Sequence, residues 1–205
     1  MNAELCARAF SRAIDDYHQH DDVDHAENNP YPDGSPEALL YHKCWIDTVQ
    51  WHLEDLARDP AASAETMADL KRRIDRSNQR RTDTVEQIDD RFLEQFRGIE
   101  PKQEARLNSE TPAWLIDRLS ILFLKIYHMR EQTERADVDE AHRQTCRQKL
   151  EVLLEQERDL KRCLDELIED IQAGRRYMKV YRQMKMYNDA SLNPVLYASR
   201  ANQTR

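Results

Sequence analysis

Charged and polar side chains interrupt the apolar face of each long predicted helix near its middle. Arginines and lysines in such positions can hold an anionic ligand, while a histidine or a glutamate can move a proton. If the helices pack antiparallel, these side chains meet in one polar layer between them. The candidate layer consists of His52, Asp55, Asn78, Arg81, Asp117, Arg118, Lys125 and Glu157.

The same residues have structural interpretations that remain open. A buried, fully paired network would set the register of the helices without doing chemistry. Glu157 and Lys161 are four residues apart, so they can pair along their own helix. His52 can be a hydrogen-bonded core histidine. The sequence therefore predicts where polar groups gather, but not whether they form an open pocket or a closed network.

A basic run near the C-terminus is the second candidate site. Its cations are interleaved with tyrosines, a composition that can bind a phosphate group or nucleic acid. The alternative is that the run docks on the acidic surface of the protein itself. The candidate anion-binding residues are Arg175, Arg176, Lys179, Arg182 and Lys185.

Metal, cofactor and catalytic signatures are weak in this chain. His18, His20 and His25 lie in an acidic stretch, but their irregular spacing fixes no ligand geometry. The sequence has no glycine-rich phosphate loop, no nucleophile elbow and no pair of Glu-x-x-His motifs. We therefore expect no metal and no cofactor, and the catalytic residues of any reaction are unknown.

The element that must position the polar layer is a central helix over residues 110–129. Thr111 suits the N-cap and Pro112 the first helical position. Leu115, Ile116 and Leu119 belong to a wide apolar sector, and further apolar groups lie on the other side. A helix that is apolar nearly all round is predicted to lie inside a bundle.

The remaining elements follow from periodicity and turn signals. Residues 3–20 predict a short helix and residues 37–58 a second one. Long helices are expected over 64–96 and 137–173, the latter ending at Gly174. We expect an all-α bundle of four or five mostly long antiparallel helices with a short C-terminal helix and tail. It forms one domain over 1–205, with an N-terminal helix and acidic loop (1–36), a core (37–173) and a basic, tyrosine-rich segment (174–205).

Composition limits the functional classes. The net charge is −8 at pH 7, which argues against general nucleic-acid binding. The four cysteines lack metal-ligand spacing and are expected to be reduced. No stretch predicts a membrane span or a signal peptide, so we expect a cytoplasmic protein. The expected partner is a small anionic ligand or another protein, and a homo-oligomer is compatible with the sequence.

Four ordered segments resemble the bacterial domain-of-unknown-function family numbered 4254. They are WHLEDLAR (51–58), KRRIDRSNQRRTDTVEQID (71–89), SETPAWLIDRLSILFLKIYHM (109–129) and VYRQMKMYNDASLNP (180–194). The resemblance implies no catalytic assignments. It also implies proximity to glycosyltransferase genes, from which we expect a link to cell-envelope polysaccharide synthesis.

Three hypotheses of function follow. The first is a binding or accessory module without catalysis. The second is a small enzyme acting on an anionic small molecule in the polar layer. The third is phosphate or nucleic-acid binding through the basic run.

Overall fold

The computed structural model describes residues 1–183 and 189–203, and for residues 199–203 it describes the backbone only. It contains six helices and two very short strands within these ranges. The prediction of an all-α bundle is therefore confirmed. The elements are α1 (Ala3–Tyr17), α2 (Pro36–Leu56), α3 (Ala64–Gln95), β1 (Arg106–Leu107), α4 (Pro112–Glu134), α5 (Glu140–Gln172), β2 (Arg176–Tyr177) and α6 (Pro194–Gln203).

Helix α4 is the central helix, as its apolar surface predicts. The Thr111 side chain accepts a hydrogen bond from the Trp114 N–H, and Pro112 occupies the first turn. The helix packs against α5 and also contacts α1, α2 and α3. Its buried side chains include Ile116, Leu119 and Leu124. The buried polar side chains of α4, Asp117 and Ser120, are therefore shielded from solvent.

Helix α2 is a second interior helix, since it contacts α1, α3 and α4. The Ser35 side chain caps its first turn by accepting from the Ala38 N–H. An uninterrupted run from Lys43 to Val49 is buried, including two charged residues. A helix surrounded on three sides cannot direct every polar residue to solvent, so some must find partners inside.

The two strands form a parallel bridge that the periodicity does not predict. Arg106 pairs with Arg176 and Leu107 with Tyr177. The bridge follows Gly174, which ends α5 with φ +67°. The Gly174 N–H donates to the Ile171 carbonyl and the Arg175 N–H to the Asp170 carbonyl. This pair of bonds is a Schellman termination, which turns the chain back toward residues 100–108.

Helix boundaries differ from the predicted ones by a few residues. Helix α1 ends at Tyr17 rather than at residue 20, and α5 begins at Glu140 rather than at residue 137. At the start of α5 the Asp139 side chain accepts from the His142 N–H, so the helix begins three residues later than expected. Within the described ranges, no helix is long and apolar enough to cross a membrane.

Candidate functional site

An ionic layer of Lys43, Asp47, Arg81 and Asp117 joins α2, α3 and α4. Lys43 is fully buried and forms ion pairs with Asp47 and, at 3.0 Å, with Asp117 Oδ1. Arg81 grips Asp117 with two parallel bonds, Nε to Oδ1 at 2.8 Å and one terminal nitrogen to Oδ2 at 2.5 Å. The Ser120 hydroxyl donates to Asp47 Oδ2 at 2.6 Å. Two cations thus neutralise two buried carboxylates. Charged side chains are tolerated inside a protein when they are paired in this way.

The two carboxylates of the ionic layer titrate in opposite directions. Burial raises the pKa of Asp47 despite its contact with Lys43. Burial also acts on Asp117, but Lys43 and Arg81 outweigh it and lower the pKa of Asp117. The difference arises because Asp117 faces both cations at bonding distance, whereas Arg81 Nε lies 3.6 Å from Asp47.

A pocket of about 390 Å³ opens beside the ionic layer. This volume lies within the range of small-molecule sites. Its wall combines an indole and two aliphatic side chains with several carboxylates and two guanidinium groups. The lining residues are Asp47, Gln50, Trp51, Glu54, Asp55, Arg58, Arg81, Ile121 and Leu124.

Two oxygen atoms on pocket-lining residues lack a hydrogen-bond donor among the described residues. They are Asp47 Oδ1 and Gln50 Oε1. The Gln50 amide nitrogen donates to Asn78 Oδ1 at 2.8 Å, so the amide is oriented with its oxygen unused. A buried acceptor without a donor costs about 1–3 kcal/mol. Both atoms are buried behind the pocket surface, and the Arg81 guanidinium lies 3.6 Å from Asp47 Oδ1.

A histidine cluster of His18, His52 and His128 lies at the other side of Trp51. One ring nitrogen of each residue lies within 4.8 Å of those of the other two. His18 Nε2 and His52 Nε2 are 3.2 Å apart. Burial, with the neighbouring His18 and His128, lowers the pKa of His52. The His128 ring stacks on Trp51 with a centroid separation of 5.0 Å, so the cluster and the pocket share that indole.

The structure divides the predicted polar layer among several places. Arg81 and Asp117 bond directly, Asn78 bonds to Gln50, and Asp55 lies in the pocket wall. His52 belongs to the histidine cluster instead. The other predicted residues lie elsewhere: Arg118 is exposed and pairs with Glu110, Lys125 is exposed, and Glu157 lies 3.7 Å from Lys161 in a separate cavity.

The basic run docks in part on the acidic surface of the chain. Arg175 and Arg176 both pair with Asp170. Arg182 reaches α3, where it pairs with Glu86 at 3.3 Å and also with Asp90. Lys179 is exposed, and Lys185 lies outside the described residues. These contacts favour docking over a free anion-binding surface.

Lys43, Asp47 and Ser120 are not predicted as site residues from the sequence. A Lys and an Asp four residues apart are usually a solvent-exposed pair on a helix surface. The signal that could have found them is the stretch from Leu40 to Val49, where six of the ten residues are apolar and leave this pair little exposed surface. The assembly of His18 with His128 is not predicted either, since their spacing along the chain carries no information about it.

Comparison with known families accounts for most of the core. The family model described as "Protein of unknown function (DUF4254)" matches residues 37–180. This range covers α2 to α5, with all four members of the ionic layer and the whole pocket. No curated protein and no solved structure matches the chain. Three of the four motifs that resemble this family lie within the matched range. Because the match spans more than half of its length, the chain belongs to the DUF4254 family, as predicted.

Proposed function

We propose that this protein is a binding module whose pocket takes a hydroxylated, sugar-like small molecule. The observation that carries the proposal is a pocket wall that combines the Trp51 indole with the amide and carboxylate groups of Gln50, Glu54 and Asp55. Sugar hydroxyls donate to carboxylate and amide oxygens, while the C–H face of a sugar ring packs on an aromatic ring.

The apolar part of the wall supports a ring-shaped ligand. His128 covers one face of the Trp51 indole, so the pocket meets its other face or its edge. Ile121 and Leu124 of α4 complete this wall. A ligand that is apolar on one face and rich in donors at its edge matches these surfaces together.

Charge favours a neutral ring over a small anion. Asp47, Glu54 and Asp55 outnumber the two guanidinium groups of the wall. Both guanidinium groups are already engaged, Arg81 with Asp117 and Arg58 with Glu54 at 3.1 Å. An anion would have to displace one of these ion pairs. The arginines alone therefore give weaker support to an anionic ligand than the sequence suggests.

The proposed biological setting is an accessory role in cell-envelope polysaccharide synthesis. A sugar-binding pocket is compatible with the association that the family resemblance implies. We also propose a cytoplasmic location, supported by the four cysteines, which are all free thiols and three of which are buried.

Intrinsic fluorescence provides the test. The chain would be titrated with neutral monosaccharides and disaccharides, and with inorganic phosphate and citrate as anionic comparators. We expect the sugar-containing ligands to change the emission in a saturable way and the simple anions to leave it unchanged. Trp51→Phe should remove the change, whereas Trp114→Phe, which alters an indole outside the pocket, should retain it.

Two results would count against the proposal. One is saturable binding of phosphate or citrate that competes with the sugars. The other is a sugar response that survives in Trp51→Phe and is lost in Trp114→Phe, since the ligand would then bind at the start of α4.

One observation favours the enzyme as a second candidate. Asp47 lines the pocket, and burial raises its pKa, a property that suits a general acid. Incubation of a bound nucleotide sugar followed by NMR would detect conversion. If the enzyme hypothesis holds, Asp47→Asn should stop conversion while Trp51→Phe mainly weakens binding.

A further inference from the structure

Three histidines from three different helices converge on one point. His18 caps α1, His52 lies in α2 and His128 in α4. One ring nitrogen of each lies within 4.8 Å of the others. Tetrahedral zinc with bonds of about 2.0–2.1 Å needs nitrogen separations of about 3.4 Å. The His18–His52 separation of 3.2 Å already matches that value.

Hydrogen bonds at the outer ring nitrogens direct the inner ones toward the centre. His18 Nδ1 lies 2.7 Å from the Ile14 carbonyl oxygen, an atom that can only accept, so Nδ1 carries the proton. His128 Nδ1 lies 2.7 Å from Glu131 Oε2, which selects the same tautomer. Neutral His18 and His128 therefore present the lone pairs of Nε2 inward. A carboxylate or carbonyl behind a ligating imidazole is the usual support of protein metal sites.

His128 Nε2 is a buried atom without a hydrogen-bond partner among the described residues. The tautomer set by Glu131 leaves a lone pair on this nitrogen, which makes it an acceptor. No donor among the described residues bonds to it. A buried acceptor of this kind is an unfavourable feature unless something binds to it.

Aromatic rings hold each imidazole plane in place. Tyr127 stacks on His18 at 4.1 Å between centroids, Tyr17 on His52 at 5.0 Å, and Trp51 on His128 at 5.0 Å. The exposed fractions of the three histidine side chains are 7%, 24% and 18%. The cluster is therefore rigid and shielded, yet reachable by an ion.

Asp21 places a carboxylate near the cluster. Asp21 Oδ1 lies 3.9 Å from His18 Nε2, and Asp21 adopts φ +50°, a conformation uncommon outside glycine. Three imidazoles with a carboxylate nearby form a ligand set that suits zinc better than magnesium or calcium.

We propose that His18, His52 and His128 hold one zinc ion, which ties the end of α1 to α2 and α4. This departs from the expectation of no metal, which rested on the irregular spacing of the histidines along the chain. The proposal does not depend on the sugar pocket. It gives the short helix α1, which lies before the range matched by the family model, a fixed attachment to the core.

The test uses the full chain stripped of metal with a chelator and titrated with zinc chloride by calorimetry. We expect one zinc per chain and a rise in melting temperature. His52→Gln and His128→Gln should abolish both effects. His20→Ala, a nearby exposed histidine outside the cluster, should leave both unchanged. Glu131→Gln should weaken zinc binding by about 10- to 100-fold.

A measurement on the unmodified protein keeps the proposal testable if a variant fails to fold. The zinc-edge X-ray absorption spectrum should show imidazole ligation and no sulfur. The proposal is overturned by absence of stoichiometric binding, by a spectrum with sulfur ligands, or by zinc binding that His20→Ala removes and folded His52→Gln retains.

Discussion

At the scale of single residues, Lys43 decides whether the ionic layer is stable. Its ammonium group is fully buried between Asp47 and Asp117. Burial of one ion pair contributes little net stability, but removal of one partner leaves a buried charge without compensation. The layer should therefore respond far more strongly to single substitutions than to the loss of any surface ion pair.

Lys43→Met should destabilise the protein by about 3–5 kcal/mol, because Asp47 and Asp117 would then share one guanidinium group. Urea denaturation measures the free energy of unfolding. Lys71→Met is the matched control, since the Lys71–Asp75 pair has the same spacing but is exposed. Its effect should stay within about 0.5 kcal/mol. A Lys43→Met protein as stable as the wild type would contradict the proposed role of this layer.

The lowered pKa of Asp117 predicts a pH dependence with a definite sign. The stability that Asp117 contributes is complete above the ordinary aspartate pKa of about 4 and is lost as the pH falls through the lower folded pKa. Asp47 acts in the opposite sense, since its raised pKa makes its ionisation unfavourable in the folded protein.

The effect of Asp117 is isolated by comparing the wild type with Asp117→Asn. The difference in unfolding free energy should be large at neutral pH and should shrink once the pH falls below about 4. Urea titrations across this range test it. A difference that is the same in acid and at neutral pH would show that the loss is one of packing rather than of charge.

At the scale of elements, Gly174 fixes the turn from α5 into β2. A Cβ at this position would lie 2.9 Å from the Glu100 carbonyl oxygen, a backbone atom, so no side-chain rotation can relieve the contact. Gly34 has a similar positive φ but nothing within 4 Å of its Cβ position. Substitutions at the two glycines therefore distinguish the cost of backbone strain from the cost of steric contact.

Gly174→Ala should destabilise more than Gly34→Ala. Both carry the strain of a left-handed conformation, about 1–2 kcal/mol, and only Gly174→Ala adds the clash with Glu100. Thermal denaturation of the two variants compares them. Equal losses would mean that the chain around residue 100 adjusts without cost.

Helix ends could be predicted from nearby residues, whereas contacts between helices could not. Thr111 with Pro112, and Gly174, fix their helix ends through bonds within a few residues, so the sequence alone shows them. The sequence places Arg81 and Asp117 in the predicted polar layer, but it does not predict that these two residues pair with each other. Lys43 and the His18–His128 contact depend on which helices surround α2 and α4, which no local pattern specifies.

At the scale of the whole molecule, the charge distribution opposes nucleic-acid binding. The chain carries a net charge of −8, and the arginines at 175 and 176 already face Asp170. We expect no binding of a labelled DNA duplex at low salt by fluorescence anisotropy. Binding that weakens steeply with added salt would instead indicate a phosphate-binding surface.

Asp47 and Arg81 belong both to the ionic layer and to the wall of the pocket beside it. The most direct test is NMR detection of the tryptophan indole N–H signals during titration with neutral monosaccharides. We predict a saturable shift of the Trp51 signal, with the Trp114 signal unchanged. The proposed function would be contradicted if the Trp51 signal stayed constant at ligand concentrations that saturate the protein.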